Sequence, residues 1–175
     1  MIKLWLIRHG KTEGNKLSRY IGTTDEPLCQ EGTEFLHKMD YPKVQAVYVS
    51  PLKRCVQTAE ILFPGAEQVV CEQMRECDFG LFEGKNYQEL TGNPKYQSWI
   101  DSGGTKAFPG GEDPMEFRKR CVCGVEEMTE KMIKGKNSFL WRQTITKSLI
   151  TISFWMKNSA RRGLIWFLLF VVMAQ

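Results

Sequence analysis

Leu6-Ile7-Arg8-His9-Gly10 closes an apolar run that opens at Ile2. A run that is apolar toward both faces predicts a buried parallel strand over 2–7. Its C-terminal end then carries Arg8, His9 and Gly10, three residue types suited to phosphate. Arginine offers a planar fork of donors that matches phosphate oxygens. Histidine titrates near neutrality and can attack phosphorus. Glycine lets the backbone approach a ligand closely. An isolated Arg-His-Gly is as easily a strand end with two polar residues, so its weight depends on the motifs downstream of it.

Lys11-Thr12-Glu13-Gly14-Asn15 comes first and ends on an amide able to hydrogen-bond a phosphate. A second apolar run, 44–49, predicts another buried strand and leads into Ser50-Pro51-Leu52-Lys53-Arg54-Cys55-Val56-Gln57-Thr58-Ala59. Arg75-Glu76-Cys77-Asp78-Phe79-Gly80-Leu81-Phe82-Glu83-Gly84 is next, and then Phe108-Pro109-Gly110-Gly111-Glu112. In matching order over residues 2–133, this series resembles the histidine phosphatase superfamily, the phosphoglycerate-mutase-like fold. Phe-Gly-Leu-Phe-Glu-Gly-Lys, Trp99 and Phe-Pro-Gly-Gly-Glu look most like its small bacterial members of the α-ribazole phosphatase type.

Periodicity outlines the elements between these motifs. Helices are predicted over 28–39, 54–62, 86–90, 95–99 and 112–133, with a short strand at 69–71 and a loop over 23–27. The longest helix steps Phe117, Cys121, Val125, Met128 and Met132 down one face. A Gly-rich stretch over 101–111 suits a lid or rim. Strands alternating with helices imply an α/β fold, a three-layer α/β/α sandwich around a mostly parallel sheet.

The resemblance implies roles for particular residues. His9 would attack phosphorus and carry the phosphoryl group, while Arg8 and Arg54 would hold the oxygens that gather charge in the transition state. Asn15 would add a neutral hydrogen bond, and Gly10 would support the close approach. The proton donor matches the glutamate directly after an arginine and four residues before the glycine of Phe-Gly, which is Glu76. Its pKa should be raised if it is to protonate a leaving oxygen. Glu83, in the more conspicuous Phe-Glu-Gly, is assigned a supporting and mainly structural part. No cofactor and no metal are implied, and the partner is a small phosphorylated metabolite.

One expected feature is missing. The superfamily has a second catalytic histidine after a late strand, which here falls at 140–146, but that stretch reads Leu-Trp-Arg-Gln-Thr-Ile-Thr. The chain's two histidines are His9 and His37, and His37 reads as an exposed helix residue. Activity is therefore expected to be impaired. The alternatives are a pseudophosphatase that binds phosphorylated ligands without turnover, and a phosphoglycerate mutase. The mutase is disfavoured because the segment between Glu83 and Pro109 lacks long basic insertions.

Composition separates the two ends of the chain. All 20 acidic residues lie at or before Glu130, alongside 16 of the 24 basic ones, so residues 1–130 carry −4 and residues 131–175 carry +8. The ending includes eleven consecutive apolar residues, 164–174, too few for a membrane helix of about 18–20. The expected organisation is an incomplete histidine phosphatase domain over 1–136 and an atypical basic and apolar tail over 137–175, which reads as out of frame. The basic and aromatic residues of that tail form no stripe, so neither nucleic acid nor membrane is expected as a partner. Six cysteines without paired spacing, and a start that goes straight into a strand, point to reduced thiols in a cytoplasmic protein.

Overall fold

A computed structural model describes residues 6–41 and 43–134. Residues 2–5 of the predicted first strand, the 140–146 stretch and the basic tail lie outside the described residues. The described chain is mixed α/β. Helix α1 (Glu13–Lys16) and helix α2 (Gln30–Leu36) lead into strand β1 (Ala46–Val49). Helix α3 (Lys53–Leu62), strand β2 (Glu67–Val70) and short 3₁₀ turns at Glu72–Met74 and Gly80–Phe82 come next. Helices α4 (Tyr87–Leu90), α5 (Pro94–Asp101) and the long α6 (Pro114–Lys134) complete the order.

Strand β1 is Ala-Val-Tyr-Val, a β-branched and aromatic run that fits a pleated, half-buried surface. It pairs in parallel with β2, from Ala46 opposite Glu67 to Val49 opposite Val70. Helix α3 is the crossover between them, the connection a parallel pair requires. Val47 and Val49 point into a core shared with Ile7, Leu36, Cys55, Ala59, Leu62 and Phe63. Ile7 thereby places the Arg-His-Gly segment beside β1.

Two further clusters form among the described residues. Cys71 and Met74 pack against Cys121, Val125 and Met128 of α6, the predicted apolar face. Phe79, Phe82, Leu90, Trp99 and Phe108 form an aromatic cluster beyond the sheet. The cysteines are free; five are buried and Cys123 is exposed.

Several element limits need correction. The helix predicted over 28–39 is only Gln30–Leu36. Leu28 is extended instead, bridging Thr12 and donating its N–H to Gln57 at 2.8 Å. The Cys29 thiol then caps the helix by accepting from Gly32. The short strand is Glu67–Val70 rather than 69–71. The last helix starts at Pro114, because the Asp113 carboxylate accepts from Met115 at 2.7 Å. Among the described residues, no helix is long and apolar enough to cross a membrane.

Candidate active site

Three elements bring polar side chains within electrostatic reach of one another. The segment after Ile7 brings Arg8 and His9, the first turn of α3 brings Arg54, and the chain after the Glu72–Met74 turn brings Glu76. His9 and Arg54 are buried, at 7% and 1% exposure, whereas Arg8 is exposed. The solvent-facing arginine that a helix start would suggest is thus not what Arg54 is.

His9 donates from Nδ1 to its neighbour's carbonyl, Gly10 O, at 2.6 Å. That bond sets the neutral tautomer, so the ring's lone pair sits on Nε2. Burial lowers the His9 pKa to about 4; the Gly10 bond opposes the shift, and the positive charges of Arg54 and Arg8 add to it. Near neutral pH the ring is therefore uncharged, the state a nucleophile needs. Gly10 is itself held, its N–H donating to Thr58 Oγ1 at 2.9 Å while Thr58 donates to Arg54 O at 2.6 Å. A side chain at Gly10 would come within 2.7 Å of Leu36.

The Arg54 guanidinium is aimed by backbone. Nη1 donates to Thr24 O at 2.8 Å, and Nη2 donates to Gly22 O at 3.0 Å and Ile21 O at 3.4 Å. Those bonds use three of the five N–H groups of an arginine, leaving two donors for a ligand. Helix α3 takes no cap from its own N-cap residue; Asp25 of the same loop caps it, accepting from Lys53 N at 2.6 Å.

Glu83 stands behind that loop. One carboxylate oxygen accepts from Gly22 N at 2.7 Å and from Thr24 N at 2.9 Å. The Ile21–Gly22 peptide is thus bonded on one edge to an anion and on the other to Arg54. A side chain at Gly22 would strike Cys77 O at 2.0 Å, so the arrangement requires glycine.

Glu76 is half-buried, and burial raises its pKa to about 7 against the opposing effects of the Cys77 N–H, Arg54 and Arg8. Its carboxylate accepts from Cys77 N at 2.9 Å. Arg8 and Arg54 act on both groups, on a carboxyl that titrates near neutrality and on an imidazole that is uncharged there, and perturbed titrations of this kind suit acid–base chemistry. Asn15 is placed by a capping box: Thr12 Oγ1 accepts from Asn15 N at 3.3 Å, and Asn15 Oδ1 accepts from Thr12 N at 3.2 Å. With its oxygen so engaged, the amide presents its NH₂ as donor. His37 is exposed at the end of α2, away from this chemistry.

Thr58, the Ile21–Thr24 loop and an ion pair between Glu112 and Arg120 are parts of the site that motif reading alone does not supply. Thr58 lies one helical turn beyond Arg54, a spacing that places both on one face of α3. Glu112 ends the Phe-Pro-Gly-Gly-Glu motif, but Arg120 carries no signal in the sequence. Among the described residues, no cluster of three or more His, Cys, Asp or Glu side chains is arranged to hold a metal ion.

Comparison with known proteins identifies the family. Residues 4–140 match the histidine phosphatase superfamily (branch 1). Phosphoserine phosphatase 1 of Hydrogenobacter thermophilus is 26% identical over 153 residues, covering 83% of this chain and 69% of that protein. Adenosylcobalamin/α-ribazole phosphatase of Salmonella typhimurium is 28% identical over 127 residues, covering 68% of this chain and 63% of that protein. A phosphoglycerate mutase of Thermus thermophilus superposes with a TM-score of 0.56 at 28% identity, covering 79% of this chain and 74% of that one. The match thus spans between 63% and 74% of these proteins' lengths.

Proposed function

The chain belongs to the histidine phosphatase superfamily, and we propose that it hydrolyses small phosphomonoesters through a phosphohistidine on His9. The observation that carries this is that Arg8 and Arg54 act on both an uncharged buried His9 and a Glu76 that titrates at about 7. His9 Nε2 donates its lone pair to phosphorus as the ester P–O bond breaks, and Glu76 gives its proton to the departing oxygen. Arg8, Arg54 and the Asn15 amide bind the three phosphoryl oxygens while charge spreads over them. Water then attacks the phosphohistidine, Glu76 takes its proton, and the P–N bond breaks to release phosphate. No cofactor enters these steps. α-Ribazole 5′-phosphate is one candidate substrate, in keeping with the relative from Salmonella typhimurium.

No histidine comes after His37 in the chain, so the second imidazole of the family's mechanism has no counterpart. Losing one preorganised electrostatic group costs about 10²–10³ in rate. The test is turnover of an aryl phosphate by the purified chain, with mass spectrometry of the quenched protein. Slow hydrolysis with a phosphoryl group on His9 is expected; brisk turnover would mean that another side chain replaces the missing histidine. The same absence favours a second reading, a binding protein for phosphorylated ligands, which predicts saturable phosphate binding with no adduct on His9.

A further inference from the structure

The Arg120 guanidinium is more heavily engaged than a helix-surface arginine needs to be. Nε and Nη2 form a two-pronged pair with the Glu112 carboxylate at 2.9 and 2.8 Å. Nη1 donates to the carbonyls of Gln73 at 2.7 Å and Arg75 at 3.0 Å. The group also lies over the Phe117 ring, 5.2 Å from its centroid. Both members of the pair are largely shielded, with side chains 22% and 21% exposed. Bidentate geometry of this kind fixes direction as well as distance.

What it fixes is the segment that carries Glu76. The Arg75 carbonyl belongs to the peptide group whose N–H is that of Glu76, so Arg120 grips the backbone one bond away from the proposed acid. Glu112 closes the loop from the other side, its backbone N–H donating to Asp78 O at 2.9 Å. Residues 73–78 are thus held by one ion pair at both ends. We propose that Arg120 is a positioning residue for Glu76, and that its pairing with Glu112 sets how much positive charge Glu76 meets. This rests on the acid role given to Glu76 above.

Arg8, Arg54 and Arg120 all favour the ionised form of Glu76 against burial. The thiols of Cys55 and Cys121 also feel its field, but burial pushes both up to about 12, and Cys77 is pushed up as well, so the three are uncharged. The charge of Arg120 is balanced by its Glu112 partner. Disturbing one side of that balance or the other should move Glu76 in opposite directions, which a purely structural brace would not do.

The experiment is a ¹³C NMR titration of glutamate side-chain carboxyls in the full chain, with the Glu76 signal assigned by its loss in Glu76→Gln. In the parent chain the midpoint is expected at about 7. Arg120→Gln removes a cation and leaves Glu112 unbalanced, so the midpoint should rise. Glu112→Gln frees the Arg120 charge, so the midpoint should fall. Arg120→Lys keeps the charge and should hold close to the parent value. Should Arg120→Gln fail to fold, the fall in Glu112→Gln and the constancy in Arg120→Lys decide the matter. Shifts of the same sign in both neutral variants, or none, would overturn the proposal while leaving Glu76 as the acid. A parent midpoint in the ordinary carboxylate range would instead overturn the acid role itself.

Discussion

The polar pocket and the aromatic cluster lie side by side in one chain and are held by different forces. His9, Arg54 and Glu83 are fixed by hydrogen bonds to backbone groups: Arg54 by three carbonyls of the Ile21–Thr24 loop, Glu83 by two N–H groups of the same loop, and His9 by its neighbour Gly10. Phe79, Phe82, Trp99 and Phe108 are fixed by ring contacts, with Phe79 and Phe108 edge to face at 5.0 Å and Phe82 perpendicular to Tyr96 at 5.2 Å. Hydrogen bonds specify direction and contribute little net stability, about 1 kcal/mol each. Burying large rings contributes more, chiefly through the apolar area removed from water. Chemistry therefore sits where direction matters, and stability sits next to it.

The sharpest way to break that contrast is in the pocket. His9→Ala should cut aryl phosphate turnover by about 10³-fold or more, since removing a nucleophile disables a unit rather than one contact. Thermal unfolding should move by no more than a few degrees. A variant that keeps turnover would show that the phosphoryl group never visits His9. One that unfolds would show that the pocket bears structural load after all.

Phe82→Ala is the opposite probe. The ring is fully buried and touches Tyr20, Tyr96, Trp99 and Phe108. Its removal should cost about 3–5 kcal/mol by denaturant titration. The His9 environment should be unchanged, and turnover per folded molecule should stay within a few-fold of the parent. A large loss in the folded fraction's turnover would mean that the cluster shapes the pocket and does not merely adjoin it.

The two regions are also unequally legible in the sequence. Arg8, His9, Arg54 and Glu76 stand in compact motifs, because a group that touches phosphate must be of a particular type at a particular bend of the chain. The residues that aim them leave no such trace. The Ile21–Thr24 loop acts through backbone carbonyls, which any side chain would present, and only the tight fit at Gly22 demands a residue type. Arg120 is separated from Arg75 by 45 positions, and their link is made by folding alone. Helix limits escape the pattern for a similar reason: Leu28 obeys a bridge to Thr12 rather than its own apolar spacing. The longest helix is plain in the sequence because a sustained apolar face over several turns leaves little room for competing contacts.

The smallest expected effect separates stability from chemistry at a single residue. Glu76 has its folded pKa raised by burial from the usual carboxylate value to about 7. The folded state thus holds the proton more tightly than the unfolded chain does. Its contribution to stability is fully present below the unfolded value and is lost as pH rises through about 7. Glu76→Gln imitates the protonated form at every pH. Its melting temperature should match that of the parent chain near pH 4 and exceed it at pH 8, by about 2–4 °C for each kcal/mol relieved. Turnover should move the other way, rising through about 4 as His9 loses its proton and falling through about 7 in the parent, and being low throughout in Glu76→Gln. A variant that gains thermal stability while losing turnover is the signature of an acid kept in an environment that does not suit its charge. If Glu76→Gln instead melts lower than the parent at pH 8, the carboxylate is stabilising when ionised, and the arginines around it outweigh burial.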